Sequence, residues 1–292
     1  SEQDYLAWTQ ANPMESKRYD IKYYKGLGSS TSREAKDWFR EMKVVHYTWD
    51  EITQTSERGH LSENDSALEL AFKSGRGKEM SNRRKEWLKE FTQRKKRDDP
   101  LDDTPIEDDV PPFRPEESYI QFIHERFVHF SNYDNIRSLP NVCDGFKPSM
   151  RKVLYTTLSR NLKKVIKVSQ LGGSVSEISA YHHGETSLYG TIIGMAKNYP
   201  GSNNINLLYP DGQFGSRRMK HDSASPRYIF TCLEEITPYL FDSRDQPILQ
   251  YQRDDGKRVE PTFYVPILPM VLINGAHGIG TGFSTDVPMY NP

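Results

Sequence analysis

The sequence predicts a mixed α/β chain built as two folded units. Three observations point there: an acidic, proline-rich stretch at 98–117 that interrupts every periodic pattern, a strand, glycine turn and helix ahead of it, and several short basic helices followed by a pair of strands after it. A length of 292 residues accommodates more than one domain, at about 100–200 residues each, and 35% hydrophobic residues suit two modest cores.

Ahead of the boundary, "YDIKYYK" places Tyr19, Ile21 and Tyr23 on one side of the chain, as a half-buried strand does. "GLGSS" supplies a turn and helix caps, and "SREAKDWFREM" then carries Ala35, Trp38, Phe39 and Met42 at helical spacing. A second helix is expected around "RRKEWLKEF". So few elements precede residue 98 that this portion reads as the end of a domain begun upstream. The stretch 98–117 itself holds nine acids, one arginine and five prolines, an exposed connection by composition.

Beyond it, "ESYIQFIHERFVHFSNY" sets Ile120, Ile123, Phe127 and Phe130 on one helical face. "KPSMRKVLYTTLSRN" turns Met150, Leu154 and Leu158 inward and leaves Lys147, Arg151, Lys152 and Arg160 available outside. "SVSEISAYHHGETSLYGTIIGMAKNY" carries a further stripe at Leu188, Ile192, Met195 and Tyr199, while "NINLLYP" and "RYIFTCL" have strand composition. Short basic helices followed by a small strand pair are the order of a winged helix, the helix-turn-helix variant that lays one helix in the DNA major groove.

Composition excludes several classes. No run of about 18 apolar residues occurs, and the N-terminus lacks the basic and apolar regions of a signal peptide, so neither a membrane span nor secretion by a cleaved leader is expected. Cys143 and Cys232 lie far apart without metal-ligand spacing, which supports neither a disulfide framework nor a zinc site. The net charge of −1 conceals an asymmetry: residues 131–230 hold thirteen Lys/Arg against six Asp/Glu, masked by the acidic stretch. A local positive field of that kind suits a nucleic-acid partner.

In "HDSASPRYIF", Arg227 stands directly before Tyr228. A phenol is a poor nucleophile at neutral pH, with a pKa near ~10. A neighbouring guanidinium favours the phenolate and can hold a phosphate through its planar fork of donors. Alone, the pair also reads as a strand residue with an exposed neighbour. "AYHHGE" adds His182 and His183, one of which could take a tyrosine proton or hydrogen-bond a phosphate oxygen, although a histidine pair before a helix is often only a capped turn. "NIRSLP" adds Arg137, either a clamp for phosphoryl charge or a surface ion pair.

In order along the chain, "YYKGLGSSTSREA", "NIRSLPNVCDGFKPSMRKVLY", "SVSEISAYHHGETSL", "GSNNINLLYPDGQFGS", "SPRYIFT" and "VEPTFYVPILPMVLINGAHGIGTGFST" resemble the type IIA DNA topoisomerases of the eukaryotic and viral branch. The resemblance implies the tail of a TOPRIM α/β domain at 1–97, the linker at 98–117, a winged-helix DNA breakage-reunion domain at 118–240 and the start of a tower at 241–292. It implies that Tyr228 attacks a DNA phosphodiester to leave a 5′-phosphotyrosyl bond, with Arg227, His183 and Arg137 assisting. Lys147, Arg151 and Lys152 match positions near the DNA backbone, and Lys25 in "YKGLG" lies close to the site in relatives. Ile279 matches an isoleucine wedged between base pairs to bend the duplex. Its surroundings, "NGAHGIGTGF", lack the lysine and hydroxyl of a nucleotide-binding P-loop, and an apolar residue packing a glycine corner is the alternative.

The resemblance further implies double-stranded DNA as partner, a homodimer of the full-length protein, Mg²⁺ held outside this chain and ATP bound by a domain not present in it. The motifs that bind the metal, "E-G-D" and "D-x-D-x-D-G", do not occur, and the chain reads as a central fragment. Pro226 before the Arg–Tyr pair, the short basic turn "SRRMKHD" and "GFKPSMRK" depart from the common pattern and point to a divergent source such as a large DNA virus or a protist. A nuclear location is expected for a cellular source, and host cytoplasm or virion for a viral one. A tyrosine recombinase, which uses arginines, histidine and tyrosine without metal, and a non-enzymatic winged-helix DNA-binding protein are the alternative functions.

Overall fold

A computed structural model describes residues 2–19, 30–49, 62–74, 78–98, 111–254 and 257–292. Lys25, most of the strand expected at 19–23, and residues 99–110 of the acidic stretch lie outside the described residues. The chain forms two compact units, Ser1–Tyr133 and Asp134–Pro292.

The first unit contains α1 (Glu2–Ala11), α2 (Ser32–Arg40), the short strand β1 (His46–Thr48), α3 (Glu63–Phe72) and α4 (Glu79–Asp98). Thr31 and Glu34 form a reciprocal capping box at the start of α2, with the Thr31 amide donating to Glu34 Oε2 at 2.6 Å. The helix ends at Arg40, so Met42 falls outside the expected stripe, and Trp38 and Phe39 stand exposed. The helix expected around "RRKEWLKEF" is α4, which buries Trp87 and Leu88.

The acidic stretch does not separate the units. Its last residues form β2 (Glu116–Ser118), paired in parallel with β1, and Glu117 is buried against Arg126 in an ion pair. Tyr119 stacks on Tyr47 at 5.5 Å, and the Ile120 amide donates to Asn64 Oδ1 at 2.9 Å. The division between units falls instead between Tyr133 and Asp134.

The expected helix after the linker begins as α5 (Tyr119–Gln121), passes through a π turn at Phe122–Phe127, and continues as α6 (Val128–Ser138). The Val128 amide donates to Ile123 O, five residues back, and one extra residue enters the turn. The buried face therefore jumps from Ile123 to Val128 and Ser131, while Phe130, expected inward, is exposed. The 3.6-residue period fails there because the backbone leaves it.

The second unit holds α7 (Pro148–Ser159), β3 (Ile166–Lys167), α8 (Val168–Ser179), α9 (Glu185–Ala196), β4 (Leu208–Asp211) and β5 (Phe230–Leu233). Lys147 is extended before Pro148, which occupies the first turn of α7, where its missing amide costs nothing. The strands form one antiparallel sheet in the order β3–β5–β4. Three helices on a small three-stranded sheet match the expected winged helix. Val153 and Leu154 from α7, Leu171 and Val175 from α8, Leu188 and Ile192 from α9, and Leu208 and Ile229 from the sheet region share the core. The chain continues through α10 (Thr237–Leu240), the hairpin β6 (Tyr251–Asp254) and β7 (Lys257–Pro261), α11 (Met270–Ile273), and the hairpin β8 (Ala276–Ile279) and β9 (Ser284–Val287).

Two ion pairs correct the expected outward face of α7. Arg151 is buried: its Nε donates to Asp144 Oδ2 at 2.9 Å and its Nη2 to Asp144 Oδ1 at 3.2 Å and Phe146 O at 3.0 Å. Lys152 donates to Glu260 Oε2 at 2.9 Å and to Ser179 O at 2.5 Å. Burial pushes the Glu260 carboxyl above its usual pKa, and Lys152 opposes that rise. Both side chains are structural cations facing inward. Removing one partner leaves a buried charge uncompensated, so Asp144→Ala should cost about 3–5 kcal/mol and lower the melting temperature by roughly 10 °C. Calorimetry of the variant checks this, and a change within about 1 kcal/mol would contradict the role given to the pair.

Candidate active site

Tyr228 ends a four-residue turn in which its amide donates to Ser225 O at 2.8 Å. Pro226 takes the second position, where a fixed φ suits a turn, so this departure from the common pattern fits the local backbone. The turn is tied to the start of α8: the Ser169 amide donates to Pro226 O at 3.1 Å, and the Val168 amide to Ile229 O at 3.0 Å. The backbone is held while the Tyr228 side chain remains 69% exposed. Arg227 Nε donates to Ser225 Oγ at 3.3 Å, and its guanidinium carbon lies 5.5 Å from the Tyr228 ring centroid. Behind the turn, a cleft of about 470 Å³ is lined by Ser169, Thr186, Tyr189, Ile193, Pro226 and Arg227.

His183 sits in the connection between α8 and α9. Helix α8 closes on Ala180 in the left-handed region, φ 51° and ψ 49°, a conformation that non-glycine residues rarely adopt. That reversal aims the following residues away from the helix. The ring of Tyr181, itself buried, meets His183 edge-on at 5.3 Å. His183 is largely exposed, yet partial burial of the ring, then the positive charges of Arg137, His182 and Lys152, hold its pKa below the usual histidine value. Arg137 and His183 are thus electrostatic neighbours. Sequence reasoning missed Asp254, whose Oδ2 lies 3.5 Å from His182 Nε2. A lone aspartate in a distant hairpin gave no signal.

Arg137 is exposed in the last turn of α6, and Lys147 is half-buried at the cap of α7. Ile279 closes strand β8 and is 69% exposed, which removes the alternative of a core residue. Its hairpin turns through residues 280–283, where the Gly280 amide donates to Phe283 O at 2.9 Å and Gly282 takes a φ of 76°. The expected phosphate-facing roles of Arg151 and Lys152 conflict with their buried ion pairs. Cys143 is exposed and Cys232 buried, both free. Among the described residues, no group of three or more His, Cys, Asp or Glu is placed to hold a metal ion, and no helix is long and apolar enough to cross a membrane.

Comparison with known proteins covers the whole chain. Residues 137–292 match the DNA gyrase/topoisomerase IV family, and residues 1–135 match the C-terminal associated domain of TOPRIM. The chain is 47% identical over 289 residues to DNA topoisomerase 2-alpha of Rattus norvegicus, covering 99% of this chain and 18% of that protein. It is 45% identical over 292 residues to DNA topoisomerase 2 top-2 of Caenorhabditis elegans, with the same coverage. Among solved structures, the Plasmodium falciparum topoisomerase II DNA-binding, cleavage and re-ligation domain superposes with a TM-score of 0.71 at 38% identity, over all of this chain and 36% of that one. The chain spans 18% of the length of these two curated relatives.

A lowered histidine pKa means that the unfolded chain takes up the proton first as pH falls, so this group's contribution to stability is lost on acidification below the ordinary value near ~6.5. Near neutrality the folded imidazole is mostly uncharged. Arg137→Ala removes one of the positive charges responsible, and the His183 midpoint should move up in that variant. An imidazole NMR titration checks it; an unchanged midpoint would break the electrostatic link between the two residues.

Proposed function

The chain belongs to the DNA gyrase/topoisomerase IV family of type II DNA topoisomerases, and from that premise we propose that it carries the strand-cleaving part of an ATP-dependent enzyme that cuts both strands of duplex DNA, passes a second duplex and reseals the break. The observation that carries the proposal is the Tyr228 turn: a fixed backbone presenting an exposed phenol beside a guanidinium in a winged helix. Tyrosine recombinase and non-enzymatic DNA-binding readings have no comparable support, since similarity to type II topoisomerases runs along 99% of the chain.

In the proposed reaction the Tyr228 oxygen attacks a phosphodiester phosphorus. A P–O bond forms to tyrosine, the bond to the 3′ oxygen breaks, the phenolic proton passes to a base, and the 3′ oxygen takes up a proton to leave as a hydroxyl. An uncharged His183 can accept the phenolic proton or donate to a non-bridging oxygen. Arg227 and Arg137 stabilise the charge that builds on the phosphoryl group. The ester keeps the phosphodiester energy, so resealing is the reverse of cutting. The Mg²⁺ this chemistry uses would be held by residues outside this chain, in the other half of a homodimer, and ATP by another domain. Lys147 and Lys25 are assigned to DNA contact, and Ile279 to a wedge that bends the duplex, whose unstacking is offset by wider contact. The site of action would be the nucleus for a cellular source, and host cytoplasm or the virion for a viral one.

Tyr228→Phe in the full-length protein removes only the nucleophilic oxygen, so covalent cleavage should vanish while DNA affinity changes little. Trapping of covalent protein–DNA complexes with denaturant tests this, and complexes at the normal level would end the assignment. Ile279→Ala should weaken DNA bending, read by energy transfer across a labelled duplex. An exposed side chain leaves no cavity on truncation, so the melting temperature of the DNA-free protein should stay within about 1–2 °C. Intact bending would remove the wedge.

A further inference from the structure

We propose that Asp134 and Asn135 are positioning residues that clamp the Ile279 hairpin to the helix end bearing Arg137, making wedge and arginine one rigid piece; this rests on the wedge role proposed above for Ile279. Asn135 Nδ2 donates to Thr281 O at 3.1 Å, and Thr281 Oγ1 donates to Asp134 Oδ2 at 3.3 Å. The other carboxylate oxygen, Asp134 Oδ1, accepts from Ser138 Oγ at 3.1 Å. These side chains, 134, 135 and 138, surround Arg137 in the last turn of α6, and their partner Thr281 lies two residues beyond Ile279.

The approach is as close as backbones allow. A Cβ on Gly280 would fall inside the van der Waals envelope of Asn135 Oδ1, and one on Gly278 inside that of Ser138 O and against Pro140 Cδ. Glycine at 278 and 280 is therefore required for contact with α6, and these residues flank Ile279. Asn135 Oδ1 is buried without a conventional donor, seated over the Gly280 Cα. A buried acceptor left unpaired is uncommon, and this one lies in the seam between helix and hairpin. The geometry transmits displacement: a base step pushing on Ile279 moves the hairpin, and the hairpin moves the turn that carries Arg137. The clamp thus aligns the arginine with the phosphate when the duplex is bent.

The test is a double-mutant cycle of Asn135→Ala and Ile279→Ala in the full-length protein, read by covalent cleavage rate, DNA bending and affinity on one labelled duplex. Asn135→Ala should slow cleavage about 10–100-fold and reduce bending while affinity holds, as expected for misplacement by a fraction of an ångström. The double variant should be no slower than Ile279→Ala, because the clamp acts through the wedge. Additive losses would overturn the clamp. Wild-type bending in Asn135→Ala beside impaired bending in Ile279→Ala would overturn the clamp alone; wild-type bending in both would overturn the wedge and the clamp with it. Thr281→Val, which removes only the hydroxyl link, keeps the test open if Asn135→Ala does not fold; it should lower cleavage in the same direction, and wild-type cleavage and bending in it would overturn the clamp.

Discussion

Asp144 is a fully buried carboxylate, and a charge in that position must be met on every side. Arg151 meets it with two donors from α7, the Phe146 amide with a third at 2.9 Å, and the Tyr264 amide, 120 residues away in sequence, with a fourth at 2.9 Å. One side chain thereby fixes the loop after α6, the first turns of α7 and the segment after β7. Lys152 and Glu260 repeat the device one residue along, linking α7 to β7 and the end of α8. The winged-helix core and the hairpins that follow it are joined by charge, in a place where apolar packing alone would leave them free to slide. Such pairs contribute less to net stability than to a single arrangement, because any shift leaves an ion unmatched.

Much of this architecture is legible in the sequence. The stripes of α7 and α9, the strand composition of β4 and β5 and the helix around Trp87 follow from periodicity, because tertiary packing there agrees with local pattern. The failures have particular causes. The π turn at Phe122–Phe127 changes the helical period, so Phe127 and Phe130 lose their inward places to Val128 and Ser131. Arg151 and Lys152 read as outward because lysine and arginine usually are; their buried acceptors, Asp144 and Glu260, lie in segments that no local rule connects to α7. The acidic stretch looks like a boundary by composition, yet its end pairs with β1, because Glu117 has Arg126 to neutralise it.

At the site, Arg227 and Tyr228 are visible as residues, but their meaning comes from ordered blocks spread along the chain. The structure adds what a dipeptide cannot: the tie from Pro226 to α8, the left-handed Ala180 and the nearness of Arg137 to His183. The seam between α6 and the β8–β9 hairpin is not legible. Its partners are 146 and 147 residues apart, and its glycines read equally well as turn residues.

The anchoring of the Tyr228 turn has a consequence for the broken state of the DNA. The bonds at Ser225, Pro226 and Ile229 act on main chain, so they persist whether the phenol is free or esterified. On the proposed reading, a severed strand would be tethered through a side chain with two rotatable bonds to a scaffold that does not yield. The loose end keeps its address, and the genome's exposure at each cut is confined to the few ångströms that one tyrosine can sweep.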